Sequence, residues 1–247
     1  DGILRSSSEV LTQKGVNMDK IREIWSDIPF FGKEIDEQVE INSHYSGYFY
    51  SLVSLLQLRE MYNDSVPCGK IKDSPRFIWR GQHLDCARHF FQVESILRLL
   101  DLMAFLKLNR FHWHLIDDES FRLELSSFPE LAERTGLRGD GHLIPGVFGG
   151  GRGPEGGTYS AEDVKRINEH AKSLGISVMP EIEIPAHANA LVKVLPGLRD
   201  QLDESNEESV QGYLENTINP AKEETWEFLE KAIPEIKSMF PFDLIPL

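Results

Sequence analysis

The spacing of apolar residues distinguishes an N-terminal region from the rest of the chain. Residues 37–43 alternate between polar and apolar side chains, which is typical of a strand, and residues 45–62 have the apolar spacing of a mostly buried helix. We therefore predict a small, partial α+β domain in residues 1–75. Its end and the linker to the next domain are marked by the turn-forming residues Pro67, Gly69 and Pro75.

From Trp79 onward, strand patterns and helix patterns alternate along the chain. The connections are too long for hairpins, which indicates parallel strands joined by crossover helices. A long excursion, residues 118–158, follows the second strand. Residues 76–247 are therefore predicted to form an α/β domain. Its strands are predicted at residues 79–88, 109–116 and 176–184, and its first helices at residues 93–108 and 161–174.

The signals at helix ends support these boundaries. Ser160 precedes the helix at 161–174, acidic residues fill its first turn, and Gly175 follows its end. Asn219-Pro220 is predicted to open a further helix, and residues 242–247 to begin a fourth strand. The apolar positions of that further helix are expected to share one face: Trp226, Leu229, Ile233, Ile236 and Phe240.

The composition narrows the classes of partner. The chain has 26 basic and 40 acidic residues, so its formal charge of −14 repels nucleic acid and anionic lipid and favours neutral or cationic ligands. Its apolar runs fall short of the roughly 20 residues that a bilayer requires, and we predict no membrane span. The two cysteines, Cys68 and Cys86, occur in unlike surroundings and are expected to be free thiols.

Ionisable residues occur at the end of every predicted strand of the α/β domain. Because the carboxyl ends of parallel strands meet at one edge, we expect these side chains to lie close together. Such a cluster can perturb pKa values, bind a hydroxyl-rich ligand or hold a metal, and spacing alone leaves all three open. The residues are Arg88-His89 after the first strand, Asp117-Asp118-Glu119 after the second, and Glu181, Glu183 and His187 at the third.

The segment His112-Trp113-His114 leaves two interpretations open. Histidines two positions apart on a strand face the same side, so the pair could ligate a metal, as in a metal-dependent barrel hydrolase. The pair could equally pack inside the domain and support the nearby carboxylates. Trp113 alternates to the other side of the strand and is expected in the core, while Tyr159 is a weaker candidate for stacking on a sugar.

Several long motifs, in order along the chain, resemble one enzyme family. RGQHLDCARHFF, FHWHLIDDESFRLEL, GGTYSAEDV, PEIEIPAH and QGYLENTINPAKEETWEFLEK are similar to the catalytic barrel of family 20 β-N-acetylhexosaminidases over roughly residues 76–247. The preceding helix and linker resemble the small α+β domain that accompanies this barrel. The resemblance implies the N-terminal half of a (β/α)8 barrel and an exo-acting glycosidase for glycans that end in GlcNAc or GalNAc. It implies no metal and no other cofactor.

The resemblance also implies a mechanism in which the substrate's 2-acetamido carbonyl attacks the anomeric carbon, with retention of configuration. Position by position, it makes Arg88 a ligand of sugar hydroxyls, and Asp117 and His187 supporting catalytic residues that tune the general acid. We also expect Asp118 and Glu183 in substrate binding, with His114 supporting the same edge. The sequence departs from the family where Glu183 replaces a usual Asp and Ala186 a common Gly.

The acid itself is expected elsewhere. In the family, an Asp polarises the acetamide and an adjacent Glu is the general acid, both at the end of the fourth strand. That strand is only beginning at residue 242, so we expect the natural protein to continue beyond Leu247 and the 247-residue chain alone to be inactive. Two other classes remain open: a metal-dependent hydrolase that uses His112 and His114, and a sugar-binding fragment without catalysis.

Overall fold

The computed structural model describes residues 45–62, 71–146, 153–199, 208–214 and 216–241. Every helix and strand predicted within these ranges is present, with ends that differ by a few residues. The strands predicted at 37–43 and from 242 lie outside the described residues. In chain order the elements are α1 Tyr45–Met61, β1 Gly81–Asp85, α2 Val93–Phe105, β2 Arg110–Asp117, β3 Ser120–Phe121, α3 Pro129–Thr135, β4 Leu137–Arg138, β5 Glu155–Gly156, α4 Ala161–Ser173, β6 Ser177–Ile182, α5 Asn189–Val194, a 3-10 turn Pro196–Leu198 and α6 Glu223–Met239.

Strand β2 is the centre of the main sheet, because β1, β3 and β6 all pair with it. The Asn109 N–H donates to the Arg80 carbonyl at 2.8 Å, and the Cys86 N–H donates to the His114 carbonyl at 2.9 Å. The two strands therefore run in the same direction, so β1 and β2 are parallel as predicted. The short β3 pairs with the end of β2 in the antiparallel direction. Within the predicted excursion, β4 and β5 form a separate antiparallel pair.

One compact unit comprises residues 1–82, 97–110 and 169–177. In its described part, the buried residues of α1 include Phe49, Leu52 and Val53, as expected for a mostly buried helix. The Gln57 amide donates to the Phe105 carbonyl at 2.9 Å, which fastens α1 to the end of α2. None of the described helices is long and apolar enough to cross a membrane.

The other compact unit comprises residues 83–96, 111–168 and 178–247. Its core is built around Trp113, which is fully buried and lies 4.8 Å from the Tyr159 ring, centroid to centroid. The Trp113 indole N–H donates to the Cys86 sulfur at 3.1 Å, and Cys86 is a buried free thiol. Tyr159 is fully buried and donates to the Phe91 carbonyl, so it is a core residue and the expectation of a sugar-stacking role was wrong.

Helix α4 has the ends that its sequence predicts. The Asp163 N–H donates to the Ser160 hydroxyl, and the Ser160 N–H donates to the Asp163 carboxylate, so the two residues cap the helix reciprocally. Gly175 follows with φ +71°, a conformation that glycine adopts without a steric penalty.

The prediction for the last helix was partly wrong. Trp226 was expected on the buried face of α6, but 55% of it is exposed and its indole N–H donates to the Pro220 carbonyl. Of the other expected positions, Ile236 and Phe240 are buried and Leu229 and Ile233 half-buried, and the remaining buried residues of α6 are Thr225, Phe228 and Ala232. Their three- and four-residue spacing also fits one helix face, so the helix is rotated relative to the face that contains Trp226. The short helix α5 was not predicted, because its six residues are too few for a periodic pattern.

A buried arginine, Arg122, ties the end of β1 to two loops. Its guanidinium donates to the carbonyls of Cys86 and Ala87 at 2.7 and 3.0 Å. It also donates to the carbonyls of Gly136 and Gly157 at 2.6 and 3.0 Å. Burial and the nearby charge of Arg138 lower the pKa of Arg122 to about 10, which still leaves it cationic at neutral pH. Arg122 thereby holds the backbone that immediately precedes Arg88.

Replacing this side chain is expected to destabilise the fold. Arg122→Met fills a similar volume but removes four hydrogen bonds to backbone carbonyls, so the free energy of unfolding should fall by at least about 3 kcal/mol. Urea denaturation followed by circular dichroism measures the change. Arg134→Met, at an exposed position on α3, is the matched control and should change stability by less than about 0.5 kcal/mol. Equal effects of the two substitutions would contradict this role for Arg122.

Candidate functional site

Three strand ends of the second compact unit bring ionisable side chains together. Arg88 follows β1, Asp117 ends β2, and Glu181 lies near the end of β6. Since β1 and β6 both pair with β2, their carboxyl ends are adjacent. Ion pairs and hydrogen bonds join these residues into one polar cluster.

Arg88 is surrounded by three carboxylates. Its Nη1 lies 2.9 Å from Asp85 Oδ2, its Nη2 lies 2.7 Å from Asp117 Oδ2, and its Nε lies 3.4 Å from Glu119 Oε2. Burial acts to raise the pKa of Asp85, but the hydrogen bonds from Arg88 hold it below its usual value. The guanidinium is therefore fixed on three sides, while 27% of the side chain remains exposed.

Asp117 is a buried carboxylate that accepts bonds from several directions. Besides Arg88, the His114 Nε2 atom lies 2.8 Å from its Oδ2 atom. The Asp118 N–H donates to its Oδ1 atom at 2.6 Å. Only 1% of the residue is exposed, so its charge is compensated by protein groups and not by water.

Asp118 is also fully buried and uses both of its oxygens. The Asn189 N–H donates to Oδ1 at 2.9 Å, and the Asn216 amide donates to Oδ2 at 3.1 Å. The His187 Nδ1 atom lies 3.1 Å from the same Oδ2 and 3.3 Å from Asp117 Oδ1. The structure thus brings His187 into contact with both aspartates at the end of β2.

Glu119, the third acidic residue after β2, has a different character. It is fully buried, and its polar neighbours among the described residues include Arg88, 3.4 Å from its Oε2 atom, and Tyr213, whose pKa burial and the charge of Glu119 both raise. Burial and the negative charge of Asp117 raise its pKa to about 7. Glu119 therefore titrates near neutral pH, whereas an ordinary carboxyl group is already ionised there.

Three imidazoles surround one oxygen of Glu181. His114 Nδ1, His112 Nε2 and His83 Nε2 lie 2.6, 2.8 and 3.3 Å from its Oε2 atom. Burial acts to lower the pKa of His114, but its hydrogen bonds to Asp117 and Glu181 raise it to about 9. Burial lowers the pKa of His112, against the attraction of Glu181. At neutral pH, His114 is therefore the charged imidazole and His112 a neutral one.

This arrangement changes which residues could hold a metal ion. A histidine ligand must present an unprotonated nitrogen, but both ring nitrogens of His114 are bonded to carboxylates. His83, His112 and Glu181 offer donor atoms that all lie within 4.8 Å of one another. Two further groups of the described residues have the same spacing: His114 with Glu181 and Glu183, and Asp117 with Asp118 and His187. Because both ring nitrogens of His114 already contact carboxylates, the histidine pair best placed for a metal is His83 with His112, whereas the sequence had suggested His112 with His114.

The remaining candidates occupy less central positions. Glu183 is half-buried, and one of its carboxylate oxygens lies within 4.8 Å of donor atoms of His114 and Glu181. His89 is exposed and its ring packs against Phe91, with 4.8 Å between centroids.

Sequence reasoning missed several residues of the cluster. Asp85 is the last residue of β1 and His83 precedes it on the same strand, so the strand-end rule would have found them had β1 been predicted to end earlier. Asn189 and Asn216 carried no signal, because their contacts with Asp118 join residues 71 and 98 positions apart.

The chain matches one protein family over most of its length. The profile described as "Glycosyl hydrolase family 20, catalytic domain" matches residues 77–247. A protein from Vibrio furnissii named "Beta-hexosaminidase" is 39% identical over 211 residues, which cover 84% of this chain and 34% of that protein. "N,N'-diacetylchitobiase" from Vibrio harveyi is 37% identical over 224 residues, covering 78% of this chain and 25% of that protein.

A solved structure shares the fold as well as the sequence. The GH20 exo β-N-acetylglucosaminidase from Vibrio harveyi, in complex with N-acetylglucosamine, aligns with a TM-score of 0.75 and 40% identity. The alignment covers 81% of this chain and 32% of that one. The chain thus spans about a quarter to a third of the length of these relatives.

The raised pKa of His114 makes the stability of the fold depend on pH. Its pKa rises from 6.5 to about 9 in the folded protein, so its contribution is complete below pH 6.5 and disappears as the pH rises to about 9. We expect the stability difference between the wild type and His114→Gln to shrink over this interval, by on the order of 1 to 3 kcal/mol. Urea denaturation at a series of pH values measures it.

The exposed His89 provides the control for this experiment. His89→Gln should differ from the wild type by an amount that stays nearly constant between pH 6.5 and 9. A His114→Gln difference that is equally constant would show that His114 is not held protonated by Asp117 and Glu181.

Proposed function

Because the chain belongs to glycosyl hydrolase family 20, we propose that it takes part in the hydrolysis of terminal β-linked N-acetylhexosamine residues of glycans. The observation that carries this proposal within the site is the position of Arg88. Three carboxylates hold its guanidinium, yet part of the side chain faces solvent. A fixed, partly exposed guanidinium is suited to bind hydroxyl groups of a sugar.

The hydrogen-bond inventory of Arg88 supports this role. A guanidinium has about five N–H groups, and three carboxylates engage one on each nitrogen. Among the contacts of the described residues, one N–H remains unused on Nη1 and one on Nη2. Two donors on adjacent nitrogens match two neighbouring hydroxyls of a pyranose, so Arg88 is the proposed anchor for the sugar at the cleaved end.

Asp117 and His187 are the proposed supporting catalytic residues. A carboxylate oxygen can only accept, so the approach of His187 Nδ1 to Asp117 and Asp118 implies that Nδ1 carries a proton. The Nε2 atom then remains available to a neighbouring acid, and 31% of the side chain is exposed. In the proposed reaction, the acetamide carbonyl of the substrate attacks the anomeric carbon with retention, while this pair tunes the acid that protonates the leaving oxygen.

Glu183 and Asp118 were both expected to bind substrate, and their burial supports different roles. Glu183 is half-buried directly after β6, which suits a residue that contacts the substrate. Asp118 is fully buried with both oxygens bonded to protein groups, which favours a supporting role. The proposed chemistry also requires an Asp-Glu pair, which the resemblance associates with the end of a fourth strand.

We further propose that residues 76–247 form the N-terminal part of a (β/α)8 barrel and residues 1–75 part of a small α+β domain. The parallel β1 and β2, joined by α2, and the pairing of β6 with β2 support the first statement. Helix α1 supports the second. Active sites of such barrels lie at the carboxyl ends of the strands, where the cluster of Arg88, Asp117 and His187 is located.

The function is tested by assaying the natural protein that carries these residues. We expect turnover of an aryl β-N-acetylglucosaminide and at least about 10³-fold lower turnover of the aryl β-glucoside, which lacks the attacking acetamide. Arg88→Lys keeps the charge but loses the forked donor, so KM should rise on the order of tenfold with a smaller change in kcat. Initial-rate kinetics measure both constants.

Two controls separate the outcomes. Arg134→Lys, at an exposed position on α3, should leave kcat and KM unchanged. Treatment with EDTA should also have no effect, whereas a metal-dependent hydrolase that used His83, His112 and Glu181 would lose activity. Sugar binding without any hydrolysis would favour the non-catalytic class, and equal hydrolysis of both aryl glycosides would contradict the substrate-assisted reaction.

A further inference from the structure

Asp118 makes contacts that a ligand-binding carboxylate would not make. It is fully buried, and groups from two segments of the chain surround it: Asn189 at Oδ1 and His187 at Oδ2 from one, and Asn216 at Oδ2 from the other. Its own carbonyl accepts a further bond from the Asn189 amide at 2.8 Å. Both of its oxygens are therefore committed inside the protein.

Asn216 holds the same region through its backbone. Its carbonyl accepts the Ala188 N–H at 2.8 Å, while its side-chain amide donates to Asp118. Two residues further on, the Ile218 N–H donates to the Pro185 carbonyl at 2.8 Å. The stretch around Asn216 therefore runs along the segment that carries His187 and bonds to it on both sides of the histidine.

His187 requires such support because of its backbone. Its φ of +51° lies in the left-handed region, which costs a side-chain-bearing residue on the order of 1 kcal/mol and persists only where neighbouring groups maintain it. The bonds of Ala188 and Asn189 immediately after it provide that restraint. The position of the imidazole thus depends on Asp118 and on the asparagines bound to it.

We propose that Asp118 is a positioning residue that keeps the His187 imidazole in the form protonated at Nδ1, and that Asn216 orients Asp118 for this purpose. The catalytic consequence rests on the proposed function, whereas the state of the imidazole does not. Asn216 must donate to Oδ2, so an asparagine is required where an aspartate would repel Asp117 and Asp118.

An exchange of the two side chains separates positioning from simple structural support. In Asp118→Asn, the single amide oxygen cannot serve both the Asn189 N–H and the donors at the Oδ2 position. Adding Asn216→Asp restores a donor and an acceptor between positions 118 and 216. It also turns an amide N–H toward His187 Nδ1, which disfavours a proton on that nitrogen.

In the natural protein, the thermal midpoint, the protonation of His187 and kcat are therefore expected to respond differently to these substitutions. Asp118→Asn should lower the thermal midpoint, and adding Asn216→Asp should restore at least half of the loss. The state of the imidazole is measured by magic-angle-spinning NMR of protein labelled with ¹⁵N-histidine. The signal of His187 is the one that is absent in the His187→Gln variant. In the wild type this signal should show mainly the Nδ1-protonated form, and in the double variant that form should be a minority. The kcat of the double variant should stay at least about tenfold below that of the wild type, with KM little changed.

Asp117 defines the outcome that would overturn the proposal. Its Oδ1 atom lies 3.3 Å from His187 Nδ1, so it could hold the imidazole alone. An unchanged His187 spectrum and full recovery of kcat in the double variant would assign the orientation to Asp117 and leave Asp118 a structural role. Loss of the Nδ1-protonated form in the double variant, together with a wild type that shows no turnover, would support positioning but contradict the glycosidase function.

A milder substitution covers the case in which the exchanged pair does not fold. Asn216→Ser removes the amide donor without adding a charge. We expect kcat to fall at least about threefold while KM and the thermal midpoint stay close to the wild type. A kcat equal to that of the wild type would overturn the role of Asn216. Asp140→Asn, at an exposed position, is the matched control and should change none of these quantities.

Discussion

The burial of two adjacent carboxylates, Asp117 and Asp118, is the constraint on which the arrangement of the site depends. Neither is accessible to water, so protein groups must supply the hydrogen bonds and positive charge that water would provide. Arg88 and His114 supply positive charge and His187 a further ring nitrogen, each from a different segment of the chain. The same pair of acids therefore orients all three side chains, and a ligand would meet groups that are already in place.

The fold places Asp117 and Asp118 where groups from neighbouring strands can neutralise their charge. Asp117 ends β2, the strand to which β1 and β6 both pair, so cations and acids from either side can reach it. Arg122 adds to this by fixing the backbone before Arg88 through carbonyl contacts. The cluster combines rigid members with one labile proton, because Glu119 has a pKa of about 7 beside an Arg88 that stays charged. Such a mixture of fixed charges and a group that titrates near neutrality is common at enzyme sites.

Sequence patterns anticipated much of the fold and most of the cluster, for physical reasons that differ between residues. Helix α4 was predicted to within a residue because its caps are local, and the common orientation of His112 and His114, which both contact Glu181, follows from strand alternation. Trp226 was misplaced because apolar residues on α6 satisfy two overlapping helix faces, and only tertiary packing chooses between them. Asn189 and Asn216 were missed because their roles arise from contacts between distant segments, which no local pattern encodes.

A crystal structure of the Asp117→Asn variant shows directly whether the buried acids orient the side chains around them. The amide keeps the volume of the side chain but removes its charge, so the Arg88 guanidinium should leave its 2.7 Å contact and turn toward Asp85 and Glu119. His114 should keep only its bond to Glu181. If Arg88 and His114 occupied the same positions as in the wild type, the orientation of the cluster would come from packing alone, and the account would be contradicted.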